Sequence, residues 1–230
     1  MLDDIDWEEL EYRGGVHYLK DSDTPYTGKT YHLHPNGEKS WEKNWKGGKP
    51  EGLDTEWCQS GQKLREWNFK NGKPEGKWTY WDENGLKQSE TNYNNGKQEG
   101  LHTEWYQSGQ KLREWNFKNG QKNGLFVVWH ENGLKKSKAT YKDDKPEGLW
   151  SDWHENGKKK EEGSYKNGKR EGLWTMWHEN GKKKNETNWQ DDKIISLKEC
   201  KGRLWKFWNF LTSTSIFLKP ISHKKKPPNS

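Results

Sequence analysis

Residues 52–72, GLDTEWCQSGQKLREWNFKNG, return at 100–120 as GLHTEWYQSGQKLREWNFKNG, with His102 for Asp54 and Tyr106 for Cys58 as the two substitutions. The copies lie two units of 24 residues apart. Gly28, Gly52, Gly76, Gly100, Gly124, Gly148 and Gly172 mark seven such units, and positions within a unit are counted here from this leading Gly as +0. Gly recurs at +9 and Lys at +11 in all seven copies. Trp stands at +5 in six, as Trp57, Trp81, Trp105, Trp129, Trp153 and Trp177, with Leu33 in the first. An aromatic stands at +17 every time: Trp45, Phe69, Tyr93, Phe117, Tyr141, Tyr165 and Trp189. No insertion breaks the phase, so the chain is a tandem array.

Each unit reads as a β-hairpin. A first arm such as GLWSDW runs into a turn built on ENG, QSG or PNG, and a second arm such as KKKEEGSY ends at the aromatic. A KNG-like turn then leads to the next unit. Asn-Gly between β-formers is a strong hairpin signal. Pro50, Pro74 and Pro146 fall in this second connection and, lacking an N–H, are expected in a loop. The residue before the +9 Gly is Asn or Ser, which favours a three-residue loop needing φ > 0 at Gly alone. That loop sets the Trp column opposite the Lys column. By the period of two, the +17 aromatics, with Trp67 and Trp115 at +15, are expected on the face of the Trp ladder. The fold expected is all-β: hairpins pairing edge to edge in one elongated, twisted, single-layer antiparallel sheet.

The composition fits such an array better than a globule. Hydrophobic residues are 27% of the chain, charged residues 33%, and mean hydropathy is -1.51, yet there are 17 Trp, 9 Tyr and 6 Phe. Disordered chains are polar but poor in aromatics, so the apolar area here is concentrated in a few flat side chains. The net charge of +6 is uneven. Residues 193–230 carry nine Lys/Arg against Glu199, which leaves the first 192 residues with a net charge of −2. A nearly neutral body argues against nucleic acid as a partner. Cys58 and Cys200 form no CxxC, which fits a reducing, cytoplasmic setting. The acidic start MLDDIDWEELEYRGG has no signal-peptide character. No run reaches the roughly 18 apolar residues of a membrane span. The expected organisation is an N-terminal cap at 1–25, seven hairpins at 26–195, and a divergent C-terminal cap with a disordered basic tail at 196–230. That tail, with its RLWKFWNF stretch, is the segment that could touch a membrane surface.

The pattern G-x-x-x-x-W-x-x-x-G-x-K, followed by an aromatic and N-G-K-x-E-G, resembles the MORN repeat, and among its forms the bacterial variant of YwqK-family antitoxins. The resemblance covers roughly residues 26–195. It implies a hairpin array that binds another protein, and in the antitoxin form that partner is a toxin. Binding of acidic phospholipid or polysaccharide is the alternative it leaves open.

Several columns invite a site. His130, His154 and His178 recur in HENG. Units are about two strand spacings, some 9.6 Å, apart, too far for neighbouring His to share an ion bound at about 2.1 Å. The seven Lys resemble a phosphate track, but Glu stands three residues later in six copies, with Lys138 the exception, so solvated ion pairs are expected. A further Glu precedes each leading Gly from Gly52 on, except at Asn123. The ladder Trp57, Trp81, Trp105, Trp129, Trp153 and Trp177 is expected to stack structurally. The more variable +2 column, Asp54, Trp78, His102, Phe126, Trp150 and Trp174, is expected on the opposite face, with Trp78, His102, Phe126, Trp150 and Trp174 as candidate partner contacts. No nucleophile–base pair, P-loop or dinucleotide fingerprint occurs, so no enzyme activity, cofactor, metal or small-molecule substrate is expected.

Overall fold

The computed structural model describes residues 4–200 and the backbone of Phe207–Asn209. It is a long antiparallel meander without α-helix among the described residues. The two arms of the seven hairpins are Gly28–Leu33 with Lys39–Lys46, Gly52–Trp57 with Lys63–Lys70, Gly76–Trp81 with Lys87–Asn94, and Gly100–Trp105 with Lys111–Lys118. The last three are Gln121–Trp129 with Lys135–Lys142, Lys145–Trp153 with Lys159–Lys166, and Lys169–Trp177 with Lys183–Gln190. Each second arm pairs with the next first arm, as in Glu66↔Thr79 and Arg65↔Tyr80. The sheet continues past residue 195 through strand Lys193–Glu199, which pairs with hairpin 7 and then with Phe207–Asn209. The rest of the basic tail, 201–206 and 210–230, and residues 1–3 lie outside the described residues.

Two turn types alternate along the sheet. At one end the +6 and +10 residues are bonded across a three-residue loop, as in Cys58 N–H to Gln62 O at 2.8 Å and Gly61 N–H to Cys58 O at 2.9 Å, with Gly61 at φ 82°. At the other end lies a two-residue turn with both central residues at positive φ, such as Asn71 (51°) and Gly72 (75°), the type I′ geometry. Two of these turns use a second Asp where the others use Gly: Asp144 and Asp192 sit at φ 64° and 65°. Their side chains offset the strain. Asp144 Oδ1 accepts Lys122 N–H at 2.8 Å and Asp192 Oδ1 accepts Arg170 N–H at 2.7 Å, both from the preceding hairpin. Where that earlier residue is Pro50, Pro74 or Pro146, no N–H is offered and the turn residue is Gly72, Gly96 or Gly168. These prolines stand inside the ladder, paired as Trp45↔Pro50, Phe69↔Pro74 and Tyr141↔Pro146, and not in a loop. They are tolerated because the missing N–H would point to the next turn, not to a neighbouring strand.

The expected pairing of the Trp and Lys columns is observed in six hairpins: Trp57↔Lys63, Trp81↔Lys87, Trp105↔Lys111, Trp129↔Lys135, Trp153↔Lys159 and Trp177↔Lys183. The placement of the other aromatics is corrected. One step inward the partners are Glu56↔Arg65, so Leu64 is an extra residue, and the same shift recurs in every hairpin. This bulge reverses the alternation of faces between +11 and +13. One face carries the Trp ladder with the +3, +11 and +14 residues. The +2, +15 and +17 residues share the other, which is the packed face.

On the packed face bulk is traded across each rung. Trp78 opposes Thr91, Phe126 opposes Ala139, Trp150 opposes Gly163 and Trp174 opposes Thr187. The order reverses where the second arm is KLREWNFK: Asp54 opposes Trp67 and His102 opposes Trp115. Each rung of hairpins 2–7 thus holds one large ring, and these rings meet +17 aromatics in two files, one over hairpins 2 and 3 and one over hairpins 4–7. Trp78 lies 4.6 Å from Tyr93 and 5.3 Å from Phe69 between ring centroids, and Trp174 lies 5.1 Å from Tyr165. Trp78 and Trp174 also donate their indole N–H back to Asn68 O and Ser164 O of the preceding hairpin.

At the N-terminal end, Ile5–Asp6 pairs in parallel with Gly28–Leu33, and a separate hairpin, Leu10–Arg13 with Val16–Leu19, follows a short 3₁₀ turn. Trp7 and His17 pack on Trp45, with centroids 5.8 and 4.5 Å away, and Trp45 is buried. His17 N–H also bonds Gly48 O at 2.9 Å. A Cβ at Gly48, whose φ is 71°, would overlap Val16 Cγ1 and the His17 backbone. Gly48→Ala is therefore expected to cost about 2 kcal/mol and to free this end first. Faster hydrogen exchange at His17 and Tyr26 than in hairpins 4–7 is the result to look for.

Candidate partner-binding faces

The residues singled out in the sequence separate by face. Trp174 is only 2% exposed, and Trp78, His102, Phe126 and Trp150 are partly buried in the aromatic file. This column contributes the packing of the sheet. The ladder Trp57, Trp81, Trp105, Trp129, Trp153 and Trp177 lies on the open face, each residue half-buried. These rings stand two strands apart, too far to stack on one another. Four are covered instead by the Lys of the preceding hairpin: Lys63 lies 5.8 Å from the Trp81 centroid, Lys87 5.3 Å from Trp105, Lys111 5.8 Å from Trp129 and Lys159 6.0 Å from Trp177.

These four lysines, with Lys39 and Lys183 of the same column, meet the Glu three residues later in the same strand: Lys39–Glu42, Lys63–Glu66, Lys87–Glu90, Lys111–Glu114, Lys159–Glu162 and Lys183–Glu186. In a regular strand residues three apart point to opposite faces, and the bulge is what brings them together. Hydrogen bonds from Lys159 and Lys183 hold Glu162 and Glu186 below the usual carboxylate range. The Lys column is thus neutralised in six of its seven copies, which leaves no continuous phosphate track. Hairpin 5 departs from the pattern, with Lys135 and Lys138 together and Val127 between the strands of Glu114 and Lys138.

The Glu residues before the leading Gly do a different job from the ion pairing expected of them. Glu51, Glu75, Glu99 and Glu147 accept the first turn amide of the following unit, at Asn71, Asn95, Asn119 and Asn167, over 2.6–2.8 Å. The histidines likewise lock neighbouring units. Nε2 of His34, His130 and His154 lies 2.9–3.0 Å from the carbonyl of Trp57, Trp153 and Trp177. Tyr106 Oη donates to Trp129 O in the same way. In the HENG ladder, His130 and His154 are therefore occupied by backbone contacts. His154→Ala is expected to destabilise the array by about 1 kcal/mol. A chelator is expected to leave the thermal midpoint unchanged; a fall in midpoint on chelation would restore a metal role.

The open face also carries leucines at +1. Leu53, Leu101, Leu125, Leu149 and Leu173 are 46%, 44%, 44%, 59% and 59% exposed. Four successive units repeat this from Leu101 to Leu173, about two strand spacings apart. Sequence reasoning passed over this column because a single exposed Leu is ordinary; only the period makes it a row. Cys58 and Cys200 are free thiols, and no helix among the described residues is long and apolar enough to cross a membrane. No curated protein matches the chain. Residues 74–95, 98–119, 146–167 and 170–191, which are the arms of hairpins 3, 4, 6 and 7, match the MORN repeat variant family.

Proposed function

We propose that the chain is a non-enzymatic scaffold of MORN type that binds another protein along its open face. The observation that carries this is the row Leu101, Leu125, Leu149 and Leu173, running parallel to the Trp ladder. These side chains keep 44–59% of their surface exposed, whereas the aromatics of the other face are consumed in packing. Apolar anchors at a fixed pitch, flanked by neutralised charge, suit a protein surface better than an anionic lipid, for which a single-sign field is needed. The antitoxin reading makes the partner a toxin, bound in the cytoplasm and held inactive by occlusion. It is supported by the resemblance of the repeat pattern to antitoxin-type arrays. The test is co-purification of a defined partner with the wild-type chain and with Leu101→Ser, Leu125→Ser, Leu149→Ser and Leu173→Ser combined. The expected result is loss of the partner while the β-sheet circular dichroism of the array is retained at the temperature of the assay. Retention of the partner by the quadruple variant would remove the open face from the binding account. Relief of growth arrest on co-expression with that partner tests the toxin step.

A further inference from the structure

The two nearly identical repeats differ on the packed face at one place, and a cavity lies there. In hairpin 4 the His102 ring stacks on Trp115, centroids 4.7 Å and planes 24° apart, and His102 Nε2 lies 3.2 Å from Glu104 Oε1. Glu104 is bonded at the same time by Arg113, at 2.8 and 2.9 Å. In hairpin 2 the same frame is present as Trp67, Glu56 and Arg65, but Asp54 replaces the histidine. The ring is gone and a cavity of about 290 Å³ remains, lined by Trp41, Glu42, Lys43, Asp54, Thr55, Glu56 and Trp67, with Glu42 already paired to Lys29 and Lys39. That is close to the lower end of ligand-pocket volumes, roughly 300 Å³, and suits a side-chain-sized group. Asp54 is 4% exposed. Its Oδ1 accepts the backbone N–H of Asn44 at 3.1 Å, and among the described residues it has no ion pair. The nearest cation, Lys43, lies over the rings of Trp41 and Trp7, at 4.7 and 5.5 Å.

We propose that this cavity binds a planar cationic N–H donor, a guanidinium or imidazolium, seated where the His102 ring sits in hairpin 4. The group would lie flat on Trp67 and donate to Asp54 and Glu56. Glu56 can accept it while bonded to Arg65, because Glu104 accepts both Arg113 and His102. The cation supplies the counter-charge that a buried carboxylate needs and the stacking surface that Trp67 has lost. It can come from a free base or from an Arg or His of a protein partner; the second source rests on the scaffold reading. Burial pushes the Asp54 carboxyl up to about 6, against the pull of the Asn44 amide and of Lys43. A guanidinium, charged at all accessible pH, therefore meets less and less ionised Asp54 as the pH falls through that value, with Glu56 held by Arg65 on the other side.

The test titrates methylguanidine and imidazole into the full-length, ¹⁵N-labelled protein and follows the indole N–H signals. One site is expected in the wild type, reported by Trp67. Asp54→His is expected to fill the cavity and abolish binding. His102→Asp is expected to open a second site reported by Trp115. Methylguanidine affinity is expected to be about tenfold lower at pH 5 than at pH 7. No Trp67 response in the wild type, an undiminished response in Asp54→His, or pH-independent affinity would overturn the proposal. Tighter binding of N-acetyl-Gly-Arg-Gly-amide than of methylguanidine supports a partner side chain as the source, and the reverse order supports a free base. The small-base arms remain decisive for the cavity even where the protein-partner reading fails.

Discussion

Gly163→Ala is expected to destabilise the array by about 3 kcal/mol, at the upper end for overpacking. Gly163 lies under the Trp174 indole of the next hairpin, and a Cβ built there overlaps Cγ, Cδ2 and Cε2 of that ring. Cγ is the attachment atom of the ring and Cδ2 and Cε2 form its fusion bond, so the overlap is with the middle of the indole and a small rotation cannot clear it. The ring is only 2% exposed and its Nε1 is tied to Ser164 O at 3.2 Å, which restrains it further. Trp174→Ala alone is expected to cost about 3–5 kcal/mol through the cavity it leaves. The two changes meet in space and so are expected not to add. In the Trp174→Ala background Gly163→Ala becomes nearly neutral, because the clashing atoms are gone. Urea unfolding of the two single variants and the double variant checks this. Additive losses would mean that Trp174 does not cover Gly163.

Asp54→Asn is expected to raise stability at neutral pH by up to about 3 kcal/mol. The folded carboxyl titrates at about 6 against 3.8 for the free group, chiefly because burial penalises the charged form. The folded state thus holds its proton more tightly than the unfolded state. The group costs nothing below about pH 4, and its penalty grows as the pH rises through 6; a rise of this size in the carboxyl's pKa corresponds to roughly 3 kcal/mol. Glu42, Glu90, Glu104, Glu162 and Glu186 have lowered values and contribute in the opposite direction. The difference between wild type and Asp54→Asn therefore isolates the effect. Denaturant titrations at pH 4 and pH 7.5 are expected to show no gain at the first and the full gain at the second. An equal change at both would mean that Asp54 is not buried in its charged form. Against a typical stability of about 5–15 kcal/mol the effect is large, so this residue is held at a cost that a binding role explains.

The repeat, the turn positions and the Trp–Lys pairing were legible because each depends on a residue type with a special property. Gly61 and its equivalents tolerate positive φ, and Trp and Lys recur at fixed offsets from them. The exchange of faces was not legible from those marks. The bulged residue is Ser40, Leu64, Gln88, Leu112, Lys136, Lys160 or Lys184, and a position that accepts all of these leaves no compositional trace. The signal that could have shown it was the charge pattern. Lys and Glu three residues apart in six strands can pair only if the alternation breaks between them. The trade of bulk was also present in the sequence: among units 2–7, Trp67 and Trp115 occur in the two that lack a large apolar ring at +2. The prolines misled because a strand beside a turn has one N–H direction with no strand to meet, a detail of register and not of residue type. The cavity beside Asp54 was out of reach until the register placed Asp54 opposite Trp67.

The central claim is that the aromatic file and the Trp ladder lie on opposite faces of one sheet. Nuclear Overhauser contacts at hairpins 6 and 7 test it most directly. Contacts are expected from the Trp174 indole to Gly163 Hα and the Tyr165 ring, and from Lys159 to the Trp177 indole, with none between Tyr165 and Trp153. Contacts from Tyr165 to Trp153 or Trp177, with none to Trp174, would contradict it.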